Sequence, residues 1–141
     1  MKIAICGSMA FTEQMFEAKA QLEKLGHQAV VSGFGEKYLG KTPEEIEKLK
    51  LYHKYEKDAI REFYEEIKNA DAILVLNYDR KGIENYIGGN TLMEIGFAHV
   101  LNKKIFLLNP IPDIEFYKTE IEATRPVILD GDLEKIESKS L

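Results

Sequence analysis

At 141 residues, 45% of them hydrophobic, the chain has the size of one domain and can bury about 70% of its unfolded surface without disulfides or metal. The 19 Lys and Arg against 24 Asp and Glu give a net charge of −5 with the signs mixed, which excludes the basic stripe that a nucleic-acid polymer demands but leaves room for a small anion in a pocket. The lone Cys6 excludes an internal disulfide, no Cys/His spacing fits zinc, and no apolar run is long enough to cross a membrane.

Met1-Lys2 leads directly into Ile3-Ala4-Ile5, so there is no signal-peptide architecture and the expected compartment is the cytoplasm. Lys2 to Cys6 reads as a buried strand closed by the Gly7-Ser8 turn. A helix is expected from Thr12, its N-cap, to Leu25, with Met15, Phe16, Ala18, Ala20, Leu22 and Leu25 marking one face and Gly26 as the stop. His27 to Val31 follows as the second strand. After a glycine-containing loop, Thr42-Pro43-Glu44-Glu45 combines an N-cap, a proline at N1 and acids in the first turn. The apolar repeat then continues through Ile46, Leu49, Tyr52, Ile60, Phe63 and Ile67, which predicts one unusually long helix from Pro43 to about Asn69. At 1.5 Å per residue it would run about 40 Å. That exceeds what this domain needs to cross its own sheet, so part of it is expected to project or to pack on a second subunit.

Ala72 to Leu76 is a near-continuous apolar run of the kind a doubly covered parallel strand needs. The loop Asn77 to Gly82 follows it. A helix is expected from about Asn90 to Leu101, a fourth strand over Lys104 to Leu108 closed by Asn109-Pro110, and a fifth over Val127 to Leu129. Asp130-Gly131-Asp132 then caps a short terminal helix. Strands alternating with helices predict an α/β domain over residues 1–141: a three-layer, doubly wound, five-stranded parallel sheet, flavodoxin/Rossmann-like, with its ligand crevice at the carboxyl ends of the strands.

The densest chemistry lies in Tyr86-Ile87-Gly88-Gly89-Asn90-Thr91-Leu92-Met93-Glu94. Two glycines let backbone approach a ligand, and the free N–H groups and dipole of a helix start favour a phosphate there. Glu94 would set a carboxylate among donors, facing the reactive carbon of a sugar. Thr91-x-x-Glu94 also fits a capping box, which accounts for both residues without function. The polar residues expected on the same rim are Ser8, Asn77, Asp79, Glu94 and Asn109, and their convergence favours the functional assignment.

With these residues assembled, the chain resembles the nucleoside 2′-deoxyribosyltransferase superfamily, including its deoxynucleoside 5′-monophosphate N-glycosidase branch. Ile5-Cys6-Gly7-Ser8 resembles the first strand and its Gly-Ser turn, Ala70-Asp71 and the strand after it resemble the third, and Glu94-Ile95-Gly96-Phe97-Ala98 resembles the segment carrying the nucleophile. The resemblance implies that Glu94 attacks the anomeric carbon while the nucleobase leaves and that Gly7 and Ser8 help hold the sugar phosphate; from the residues themselves, Asp79 is the candidate to assist the base, against an ordinary loop acid, with Asn77 to read its edge, Lys81 to bind phosphate, and Gly88, Gly89, Asn90, Thr91 and Asn109 to bind substrate. It implies a small nucleoside or nucleotide ligand, no metal or redox cofactor, and a homodimer. Two positions depart from the pattern: Gly88 stands six before Glu94 where the branches carry an acid or a serine, and Phe63, beside Glu62, stands where an acid is expected on the helix before the third strand. Gly88-Gly89-Asn90-Thr91-x-x-Glu94 also resembles a shortened motif of the cytokinin-activating phosphoribohydrolases. A non-catalytic nucleotide sensor using the same crevice is the alternative, and a flavin site is disfavoured because Gly7-Ser8-Met9-Ala10-Phe11 lacks a run of hydroxyls.

Overall fold

The computed structural model describes residues 1–136 and forms a five-stranded sheet, all parallel, in the order β2-β1-β3-β4-β5. The strands are β1 (Lys2–Gly7), β2 (Gln28–Val30), β3 (Ala72–Leu76), β4 (Lys104–Leu107) and β5 (Val127–Ile128). The helices are α1 (Thr12–Lys24), α2 (Pro43–Glu56), α3 (Ala59–Lys68), α4 (Gly89–Val100) and α5 (Lys118–Ala123). The expected terminal helix lies mostly outside the described residues. No helix among those described is long and apolar enough to cross a membrane.

Period-two alternation along the strands divides the core. Ile3 and Ile5 of β1, with Leu74 and Leu76 of β3, face Met15, Ala18 and Leu22 of α1. Ala4 and Cys6, with Ile73 and Val75, face Phe63 and Ile67 of α3 and Ile95 and Ala98 of α4. Helices thus cover both faces, and β1 and β3 are fully enclosed, as their unbroken apolar sequence anticipates. The order of strands reverses between β1 and β3, which opens a crevice beyond their carboxyl ends.

Gly7 shapes that end of β1. Its φ of +152° is a conformation that side-chained residues rarely adopt, and an added Cβ would stand 3.0 Å from the Leu76 carbonyl oxygen of the neighbouring strand. The α1 boundary differs slightly from expectation: Thr12 lies inside the helix, and its hydroxyl donates to the Met9 carbonyl of the preceding 3-10 turn.

The single long helix is the main correction. The chain breaks at Lys57-Asp58, where Asp58 takes a left-handed conformation with φ of 48°. Its carboxylate accepts from the Arg61 N–H at 3.3 Å and pairs with Arg61 Nε at 3.0 Å. Aspartate competes with helix propagation by capping a new helix, and the apolar period continues across the break, so the pattern hides it. The predicted start of α2 stands: Thr42 and Glu45 form a reciprocal capping box with Pro43 at N1. Breaking the helix turns α2 back over the carboxyl edge of the sheet, where it packs on α3 and the 3-10 turn after β1. The argument for a projecting helix therefore loses its basis.

Candidate active site

A cavity of about 220 Å³ opens at the switch point. Its floor is the end of β1, from Ile5 to Ser8. One wall is the start of α4, Gly88 to Glu94, and the opposite wall is built from Ser32, Phe34, Tyr38 and the inner face of α2.

The glycine pair starts α4 earlier than a capping box would. Gly88 is the N-cap, without any side-chain cap, and the first helical bond runs from Leu92 N–H to the Gly88 carbonyl at 2.9 Å. The N–H groups of Gly89, Asn90 and Thr91 therefore have no acceptor within the helix. Thr91 and Glu94 both lie inside the helix, so the capping-box account of them does not hold. Thr91, Ile95 and Ala98 form the buried stripe of α4, and Glu94, three residues after Thr91, falls on the same side.

Alternation in β1 supplies the partner. Cys6 is 1% exposed on the face that meets α4; its thiol donates to the Ala4 carbonyl at 3.9 Å and lies near enough to the Glu94 carboxylate for each group to shift the other's pKa. Burial pushes Glu94 up to about 8, the thiol partly opposes that, and the charge of Glu62 adds to it. Burial and the facing carboxylate together raise the Cys6 thiol well above its ordinary value. Burial therefore favours the protonated form of Glu94 near neutral pH.

Glu62 reaches this region from α3. Its carboxylate accepts from the Gly33 N–H at 3.1 Å and from the Ser32 hydroxyl at 3.4 Å. The opposite wall is aromatic: Phe34 stacks on His53 with centroids 4.3 Å apart, and the Tyr38 hydroxyl lies 2.8 Å from His53 Nδ1. His53 is 2% exposed, and its pKa is lowered by burial first and then by Lys37 and Lys57.

Of the residues expected at the site, Glu94, Gly7, Ser8, Gly88, Gly89, Asn90 and Thr91 meet at the cavity. Ser8 also accepts from the Ala10 N–H at 3.2 Å, which fixes the turn after β1. Asn77, Asp79, Lys81 and Asn109 do not line it. Asn77 is fully buried and tied to Asn109 and Pro110 by four hydrogen bonds of 2.8 to 3.1 Å, a latch across the ends of β3 and β4. Asp79 is exposed and accepts from the Asn85 N–H at 2.9 Å, shaping the loop before α4. Lys81 is exposed on the same loop. Sequence reasoning missed Cys6 as a partner of Glu94, and it missed Phe34, Tyr38 and His53. The first was readable from strand alternation, whereas the others depend on where α2 folds back. No group of three His, Cys, Asp or Glu among the described residues is arranged to hold a metal.

Neither a protein-family model nor a curated protein sequence matches the chain. The architecture defines it as a flavodoxin-like α/β protein, and solved structures share it. The CMP N-glycosidase BcmB of Clostridium botulinum is 16% identical and superposes with a TM-score of 0.52, covering 99% of this chain and 98% of that one. The 2-deoxyribosyltransferase of Bacillus psychrosaccharolyticus is 21% identical over 88% of this chain and 82% of its own, with a TM-score of 0.47. At such identities the first likeness establishes the fold.

Proposed function

We propose that this protein cleaves or transfers at the N-glycosidic bond of a nucleoside or nucleoside 5′-monophosphate, with Glu94 as the nucleophile. The observation that carries the proposal is the placement of Glu94: a carboxylate held against a thiol, on the inner face of a glycine-opened helix, in the crevice of a fold shared with a CMP N-glycosidase. A Glu94 oxygen bonds to the anomeric carbon as the carbon–nitrogen bond to the base breaks. Glu94 attacks in its ionised form, the departing base takes its proton from water, and water or a second base then displaces the carboxylate.

Glu62 is assigned to hold the departing base as a hydrogen-bond acceptor. Its charge reaches Glu94 and its carboxylate meets the cavity through Ser32, whereas Asp79 is committed to its own loop. The aromatic wall of Phe34 and His53 offers a flat, apolar surface of the kind a nucleobase stacks on. A homodimer is supported by Leu51, Tyr52 and Tyr55, which leave the outer face of α2 49%, 48% and 76% exposed. A monodisperse monomer in light scattering at micromolar concentration would remove that part.

The decisive experiment incubates wild-type and Glu94→Gln protein with ribo- and deoxyribonucleosides and their 5′-monophosphates, and separates any released base by chromatography. Base release from one member by wild type, reduced at least about 10³-fold in the variant, is the expected result. Tight binding of a ligand by both proteins with no release from any would make the crevice a sensor.

A further inference from the structure

Gly88 is the N-cap of α4, and a neighbour fills the place of the side chain it lacks. A Cβ added at Gly88 would stand 2.7 Å from the Tyr86 hydroxyl oxygen and 3.2 and 3.3 Å from Cζ and Cε1 of the same ring. This is the position, six before Glu94, at which the resembling branches carry an acid or a serine and this chain carries neither. The side-chain oxygen next to the helix start comes instead from two residues upstream.

The ring is held while its hydroxyl is left free. The Arg80 guanidinium lies over the ring face, 5.6 Å from its centroid. The Tyr86 N–H donates to the Tyr78 carbonyl at 2.9 Å, and the hydroxyl of Tyr117, the N-cap of α5, donates to the carbonyl of Ile87, which stands between Tyr86 and Gly88. Tyr86 is half-buried and lines the cavity, and among the described residues no hydrogen bond holds its hydroxyl. A fixed ring with an uncommitted hydroxyl loses little freedom when a ligand meets it. Glu94 starts about 9 Å further along the axis at 1.5 Å per residue, but helical side chains lean back toward the N-terminus, so the carboxylate and the phenol share one wall about a sugar ring apart. A phenol both donates and accepts, as a sugar hydroxyl does, whereas a carboxylate in the same place would only accept.

We propose that the Tyr86 hydroxyl is a specificity-determining contact: it hydrogen-bonds one hydroxyl group of the ligand's pentose while Glu94 faces the anomeric carbon, and position 88 is glycine so that the phenol can reach that place. This rests on the nucleoside-type ligand proposed above.

The test is calorimetric titration of the full-length protein carrying Glu94→Gln, which keeps the ligand intact, with cytidine and adenosine and with their 2′-, 3′- and 5′-deoxy analogues. Adding Tyr86→Phe is expected to weaken the better-bound nucleoside about fivefold to tenfold. That penalty should vanish for the one analogue that lacks the contacted hydroxyl and persist for the other two, because a cycle over both partners isolates their bond, and a merely structural role would penalise all three alike. Gly88→Ser alone should also weaken binding, since its Cβ meets the phenol oxygen at 2.7 Å. Combined with Tyr86→Phe, which removes that oxygen, Gly88→Ser supplies a hydroxyl of its own and should recover about threefold of the lost affinity. If the double variant does not fold, the analogue cycle alone decides. Unchanged affinity on Tyr86→Phe, or an equal penalty for all three analogues, overturns the contact and leaves the nucleoside reading in place. Binding of neither nucleoside overturns both. A complete cycle in a protein whose wild type releases no base keeps the contact and removes the cleavage proposal.

Discussion

At the scale of single residues, Glu94 sets the pH behaviour. Its pKa in the folded protein, about 8, lies above the ordinary 4.5 because burial disfavours the charge. The folded state therefore holds a proton that the unfolded state has already released at intermediate pH. The resulting stabilisation is fully present below about 4.5 and is lost as pH rises through about 8. Glutamine keeps the shape without the charge, so Glu94→Gln should be more stable than wild type at pH 9, on the order of 1–3 kcal/mol, and indistinguishable from it at pH 4. Urea midpoints at the two pH values check this, and a constant difference at both would contradict it. With Glu94 as the proposed nucleophile, kcat/KM should rise as pH increases toward about 8. Cys6→Ala, which removes the thiol that favours the ionised carboxylate, should move that limb to higher pH. Gly7→Ala combines an unfavourable φ with a crowded Leu76 carbonyl and should cost about 2–4 kcal/mol in a denaturant titration.

At the scale of elements, legibility followed the reach of the determinants. The β3 run, the start of α2 at Thr42-Pro43 and the glycine-opened α4 are set by local residues, and all three were readable. The break at Asp58 was hidden because Ile46, Leu49, Ile60, Phe63 and Ile67 keep helical spacing across it, while the cap depends on one carboxylate turning to Arg61. The aromatic wall was hidden for a consequent reason: Tyr38 and His53 are fifteen residues apart, and only the folded-back α2 brings them together at 2.8 Å. Asn77 and Asn109 were placed at strand ends correctly, but which acceptors a buried amide finds is settled by the neighbouring strand rather than by its own segment. The Tyr38–His53 bond fastens α2 to the turn before it, so Tyr38→Phe leaves a buried imidazole nitrogen without its partner. A loss of about 1–3 kcal/mol is expected. Hydrogen exchange should show faster opening confined to α2, and a uniform change across the sheet would count against the assignment.

At the scale of the whole molecule, the sheet carries the stability and its carboxyl edge carries the chemistry. Phe106 is fully buried against both β3 and the segment after β5. Phe106→Ala should cost about 3–5 kcal/mol, a large part of the usual margin for a domain, and a thermal melt measures it. The same topology decides which parts of the edge are open. The Asn77–Asn109 latch ties the ends of β3 and β4 together, and the cavity lies on the side of α2. Under the proposed function the attacking group sits on α4, while much of the facing wall, with Ser32, Phe34, Tyr38, Lys50 and His53, belongs to the stretch from Ser32 to Asp58. Attack and choice of ligand are in this way carried by separable lengths of chain. Exchanging residues 32–58 for a stretch of different composition would redirect the protein to another ligand while leaving its reaction intact, and that makes this stretch the natural place for selection or design to act.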